Sequence, residues 1–213
     1  MLFSPLDEPA LGRAPVVGRG FYQRPTPEVA RSLLGTIVVR DDGDAVVAIR
    51  ITETEAYLGP DDRAAHTWGG RRTPRVRSMW GDVGHAYVYL IYGIHHCLNL
   101  VTGGPNRGEA VLIRGGRVVT GDDAVAERRG RRRAQRRWTD GPGKLCQALA
   151  ITREDDGIDV CRRGAGLWLV DDGRKPDPRS VAVTPRIGVD YAGEAATWPL
   201  RFIVTPNVID GRR

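Results

Sequence analysis

Residues 45–57, AVVAIRITETEAY, decide how the rest of the chain is read. The run holds no Gly or Pro and is rich in β-branched side chains, so it is expected as a long strand. Alternation then puts Val47, Ile49, Ile51, Glu53, Glu55 and Tyr57 on one face. The apolar half of that face belongs in a core. Glu53 and Glu55 are therefore expected to continue a buried row unless a bulge intervenes. A buried carboxylate is either paired with a cation or raised in pKa, which is how general acids and bases are made. A salt bridge to one of the many arginines and a catalytic role both remain open at this point.

Working outward, TIVVR (36–40) and the turn DDGD (41–44) give this strand a hairpin partner. Further strands are expected at AYVYLIY (86–92), CLNLV (97–101), EAVLIR (109–114), GLWLVDD (166–172), VAVTPRIGV (181–189) and LRFIV (200–204). A short helix is expected over TPEVARSLLG (26–35), with Thr26 as N-cap, Pro27 at its first position and Gly35 at its end. A second, GPGKLCQALAI (141–151), should start near Pro142. Many strands and few helices mark an α+β single domain built on a mainly antiparallel sheet flanked by helices. Residues 1–24, rich in Pro and Gly, are expected as a loose arm ahead of a 25–213 domain.

The 213-residue chain carries 32 basic against 26 acidic residues, with a pI near 9.6. That balance suits a polyanion such as nucleic acid. All but two of the basic residues are Arg, and codon composition accounts for such a skew equally well. Three widely spaced cysteines, Cys97, Cys146 and Cys161, read as small buried residues in a reducing compartment. The acidic, Pro-containing N-terminus lacks the pattern of an export signal, and a cytoplasmic, nucleoid-associated location is expected. Residues 128–137 contain seven arginines, read as a mobile loop, a frayed helix or a phosphate grip.

Four of the six tyrosines, Tyr57, Tyr87, Tyr89 and Tyr92, fall within 57–92. Tyr87, Tyr89 and Ile91 share a strand face, and Tyr92-Gly93 is expected as a hairpin apex. An exposed apex aromatic can wedge between stacked bases, and pocket aromatics can stack on an extruded one. Strand propensity alone also explains tyrosines here. The neighbouring segment 63–77 carries five arginines and no acid, which favours the nucleic-acid reading. Consecutive His95-His96-Cys97 are poorly spaced for shared metal ligation. TDGPGKL (139–145) lacks the first Gly and the Ser/Thr of a phosphate loop, and is read as a helix start offering Lys144 to a phosphate.

ETEAYLGPDDRAAHTWGGRRTPR (53–75), YVYLIYGIHHCLN (87–99), AVLIR (110–114), GPGKLCQAL (141–149) and RIGVDYAGEAATWPLRF (186–202) together resemble the alkyladenine (3-methyladenine) DNA glycosylase family, in the family's order. RSLLG (31–35) extends the match. The resemblance implies a curved sheet with a protruding hairpin that intercalates into DNA. It implies a monofunctional DNA repair enzyme that flips alkylated or deaminated purines out of duplex DNA and hydrolyses their N-glycosidic bond. The purines it implies are 3-methyladenine, 7-methylguanine, hypoxanthine and ethenoadenine.

By the same resemblance Glu55 is the general base, and Arg114 and the main-chain carbonyl of Ile187 help hold the attacking water. Tyr57 and Tyr89 sandwich the flipped base, His66 meets its edge, and Asn99 crowds the 2-amino group of guanine. Tyr92 is the wedge, and Arg71, Arg75 and Lys144 are expected on the DNA backbone. No cofactor or metal is implied, and the chain is expected to act as a monomer with no membrane partner. TGGPNRGEA (102–110), His95-His96 and the Arg run depart from the family pattern. A non-catalytic nucleic-acid binder and a glycosylase/lyase with an amine nucleophile are the rival readings.

Overall fold

A computed structural model describes residues 8–130 and 135–205. Its eight strands are β1 (Ile37–Asp41), β2 (Val46–Tyr57), β3 (Ala86–Ile91), β4 (His95–Thr102), β5 (Glu109–Thr120), β6 (Leu167–Val170), β7 (Val181–Thr184) and β8 (Arg201–Val204). All pair antiparallel, in the order β3-β4-β5-β2-β1-β6. β8 adds to β2 beside residues 53–55, and β7 pairs with β8. The helices are α1 (Glu8–Arg13), α2 (Arg19–Tyr22), α3 (Thr26–Ser32), α4 (Asp122–Arg129) and α5 (Pro142–Ala148). The α+β reading of the sequence holds.

The main core lies on the sheet face covered by α3 and α5. There Val38, Val47, Ile49, Ile51, Leu98, Leu100, Val111 and Ile113 meet Val29, Leu33, Leu145 and Leu149. Burial of this apolar area is the dominant stabilising term. At the β1–β6 end the reverse face is closed by Leu11 and Ala14 over Ile37, Val39, Trp168 and Val170. Residues 8–24 are therefore packed where a loose arm was expected. Isolated Leu11, Val17 and Tyr22 bury against the sheet, a signal that carries no periodicity in so short a segment.

Other boundaries differ for local reasons. Pro25, not Thr26, is the N-cap residue of α3, because the Thr26 hydroxyl is buried and donates to Glu109 at 2.6 Å. β7 stops at Thr184, since Pro185 has no N–H for the ladder. β5 runs on to Thr120 through Gly115-Gly116. A Cβ on Gly116 would lie 2.4 Å from Ile49 Cγ2, so only glycine lets the two longest strands cross this closely. Of the Arg run, Arg128 pairs with Asp42 at 2.6 Å and Arg129 donates to the Trp138 carbonyl at 3.0 Å. These two hold α4 in place instead of gripping phosphate. Arg131, Arg132 and Arg133 lie outside the described residues.

Candidate active site

β2 shifts register against β5 on both sides of Glu53. These irregularities invert the side-chain alternation. Val47, Ile49 and Ile51 point to the main core, and beyond the shift Ala56 does so, while Thr54 bonds the α3 carbonyl of Ala30. Glu53, Glu55 and Tyr57 are thereby turned to the opposite face. The expected continuous row is corrected: the carboxylates leave the core face at the bulge. On the same reverse face β3 presents Tyr87 and Tyr89, β4 presents Cys97 and Asn99, and β5 presents Leu112 and Arg114. Segments 59–80 and 186–198 roof this end of the sheet, leaving a cavity of about 210 Å³.

Glu55 is fully buried behind the cavity wall. Its Oε1 accepts from the Ile187 N–H at 2.8 Å, and its Oε2 accepts from the Tyr57 hydroxyl at 2.8 Å. Arg114 Nη1 lies 3.5 Å from Oε1. Tyr57, Arg114 and Ile187 all line the cavity. Burial, then the Glu55 charge, pushes the Tyr57 phenol well above its ordinary pKa, so it donates to the carboxylate. Burial works against the Arg114 charge, but Glu55 and Glu53 outweigh it and raise its pKa. Glu53 answers to two guanidiniums, Arg114 Nε at 2.9 Å and Arg201 Nε at 2.6 Å. The two acids of the sequence motif thus divide: Glu53 anchors Arg114, and Glu55 accepts from the cavity-lining Tyr57 and Ile187. Ile187 meets Glu55 through its N–H, whereas its carbonyl was the group expected to act.

Aromatic residues gather on the cavity wall. His66 and Tyr89 meet edge to face with ring centroids 4.5 Å apart, and Tyr87 and Tyr89 lie 5.5 Å apart. His66 Nδ1 shares a hydrogen bond with the Tyr87 hydroxyl at 2.8 Å. Burial, then the Arg75 and Arg71 charges, holds His66 down to about 4, so the ring is neutral at pH 7. Asn99 is buried and donates to the Tyr87 carbonyl at 3.1 Å, which fixes its amide beside the cavity.

β3 and β4 form a hairpin whose tip carries Tyr92, 86% exposed, and Ile94, 72% exposed. Ile94 N–H bonds the Ile91 carbonyl at 3.2 Å across the turn. Tyr92 and Gly93 have φ of 54° and 72°, the mirror-image turn that suits hairpins and strains a tyrosine. Arg71 and Arg75 are exposed, and the Arg75 guanidinium sits 5.4 Å above the Tyr89 ring. Lys144 pairs with Asp140 at 2.7 Å at the start of the seven-residue α5, with both side chains partly exposed.

Several lining residues were given no site role from the sequence, among them Tyr87, Cys97, Met79 and Tyr191. Tyr87 and Cys97 were signalled by period-two alternation with Tyr89 and Asn99. Met79 and the 66%-exposed Tyr191 had no such signal, since both lie in short 3₁₀ helices outside the strands. Among the described residues no group of three His, Cys, Asp or Glu is placed to hold a metal, and no helix is long and apolar enough to cross a membrane.

The family model described as methylpurine-DNA glycosylase matches residues 20–208. A protein of Methanocella arvoryzae named "Putative 3-methyladenine DNA glycosylase" is 50% identical over 188 residues, covering 88% of this chain and 92% of its own. Proteins of the same name from Anaeromyxobacter dehalogenans and Bdellovibrio bacteriovorus are 47% and 40% identical, covering 86% and 93% of this chain and 81% and 100% of their own.

Proposed function

The chain belongs to the methylpurine-DNA glycosylase family, N-glycosyl hydrolases of DNA repair, and from that premise we propose that Glu55 is its general base for excising damaged purines from duplex DNA. The observation that carries the proposal is a fully buried carboxylate whose three polar neighbours, Tyr57, Arg114 and Ile187, all line an aromatic cavity. A carboxylate has about four lone-pair sites, and the Ile187 and Tyr57 donors leave capacity for a water.

In the proposed reaction a water oxygen attacks the sugar C1′ while Glu55 takes its proton. The C1′–N bond breaks and its electron pair departs with the base. Before that the purine must leave the stack, because C1′ and the slot are out of reach inside a duplex. Tyr57 and Tyr89 would face the extruded ring, with His66 at its edge and Asn99 excluding an added amino group. Tyr92 would fill the vacated step from the hairpin tip, and Arg71, Arg75 and Lys144 would meet phosphates.

An alkylated purine such as 3-methyladenine or 7-methylguanine already carries the positive charge that its departure neutralises. Hypoxanthine and ethenoadenine need a proton on the leaving base, and a His66 neutral at pH 7 does not supply it. All four are proposed substrates, with the cationic pair released faster. The reaction is monofunctional. Lys144 and Lys175, the only lysines, are paired with Asp140 and Asp171 and line no part of the cavity. The chain is proposed to act as a monomer in the cytoplasm at the nucleoid.

The test is release of free base from a methylated duplex, followed by chromatography, with borohydride added in a parallel reaction. Free 3-methyladenine and 7-methylguanine with no covalent protein–DNA species are expected. A borohydride-trapped adduct would replace water attack with an amine nucleophile, and no released base would reject the assignment.

A further inference from the structure

Arg186 and Asp62 form a bidentate ion pair in which both side chains are completely buried. The guanidinium does more than neutralise the acid. Its Nη1 also donates to the Ala56 carbonyl at 2.9 Å and its Nη2 to the Ala195 carbonyl at 3.1 Å. Its carbon stands 4.7 Å from the Tyr57 ring centroid, over one face. Asp62 in turn accepts the N–H groups of Leu58 and Ala64, each at 3.0 Å. One pair therefore ties the end of β2, the turn leading to His66, and the 186–195 segment into a single unit.

The chain neighbours of these atoms are the reacting groups. Ala56 lies between Glu55 and Tyr57, and Arg186 precedes the Ile187 N–H that bonds Glu55. We propose that Arg186 and Asp62 are positioning residues for base excision, setting the Glu55 carboxylate, the Ile187 N–H and the Tyr57 ring in one geometry. This rests on the excision chemistry proposed above. A buried ion pair is seldom the most stable way to fill its space, and apolar residues of similar volume often do as well or better. Its retention at this junction fits a geometric duty, since a shift of about 1 Å near reacting groups can cost about 10²-fold in rate.

The experiment separates geometry from stability with the double variant Asp62→Leu/Arg186→Met and the single variants Asp62→Asn and Arg186→Lys. Each is measured by thermal melting, by affinity for a duplex bearing one 7-methylguanine, and by single-turnover release of that base. The double variant removes both buried charges together but also the partners of four backbone groups, so it should melt below wild type yet above the single variants, which leave one charge unpaired or misfitted. Its release rate should fall about 30-fold or more, and by more than its affinity falls. Should the double variant not fold, the same split is expected in the folded fraction of Arg186→Lys, which keeps the charge but loses the planar fork. Folded variants that release base within about twofold of wild type would overturn the positioning role alone, judged against that same ~10²-fold scale. A wild type that releases no base would overturn the excision chemistry and this role together.

Discussion

The shelf around Glu55 and the tip of the β3–β4 hairpin lie on the same cavity yet are built by opposite rules. At the shelf every charged side chain is paired. Glu55 is held by Ile187, Tyr57 and Arg114, Glu53 is held by Arg114 and Arg201, and Arg186 braces the whole from behind. At the tip Tyr92 is 86% exposed with a positive φ that its side chain does nothing to repay within the chain. The proposed base is over-determined by its own protein, whereas the proposed wedge is left free for a partner to complete.

That contrast breaks most sharply at Glu55. Glu55→Gln keeps the shape and loses the base, so single-turnover release should fall by about 10²- to 10⁴-fold while lesion DNA is still bound. Near-normal release would move the chemistry off the shelf. Next in size is a pH effect. His66 is held at about 4 in the fold and titrates near 6.5 when unfolded, so the unfolded chain binds more protons between those values. Stability present above about pH 6.5 should be lost as the pH falls toward 4, by up to about 3 kcal/mol. His66→Gln should flatten that slope in denaturant titrations run across this range, and an unchanged slope would place the titration elsewhere.

Glu53→Gln probes whether the shelf depends on its anchor. It strips the charge from a partly buried acid facing two guanidiniums, and should cost about 1–3 kcal/mol of stability with a smaller loss of excision rate. A loss of rate equal to that of Glu55→Gln would make the two acids equivalent. The smallest stability change is expected at the tip. Tyr92→Asn should leave unfolding within about 0.5 kcal/mol of wild type or stabilise slightly, since Asn tolerates positive φ. Lesion-duplex affinity should still fall about tenfold, by less than the few kcal/mol of unstacking a base step. Equal loss on undamaged duplex would reduce Tyr92 to a general surface contact.

Local chemistry made much of this molecule readable. β-branched runs marked β1 and β2, Tyr92-Gly93 marked the apex, and Pro142 marked the start of α5. Alternation paired Tyr87 with Tyr89 and brought Asn99 to the cavity once its strand was known. The arm over residues 8–24 was not readable, because its burial depends on a sheet assembled from distant segments. The duty of the Arg128 and Arg129 side chains was hidden for the same reason.

What the sequence determined by itself is the set of strands, the antiparallel α+β class and, through motifs spread over 53–202, the family. Those follow from side-chain periodicity and residue chemistry, which act over a few positions. Only the tertiary structure decided which face Glu55 occupies and what holds it there. Paired irregularities in β2 and β5 on either side of Glu53 invert the side chains beyond them. The partners Arg114 and Ile187 arrive from 59 and 132 positions away, so packing alone brings them to the carboxylate.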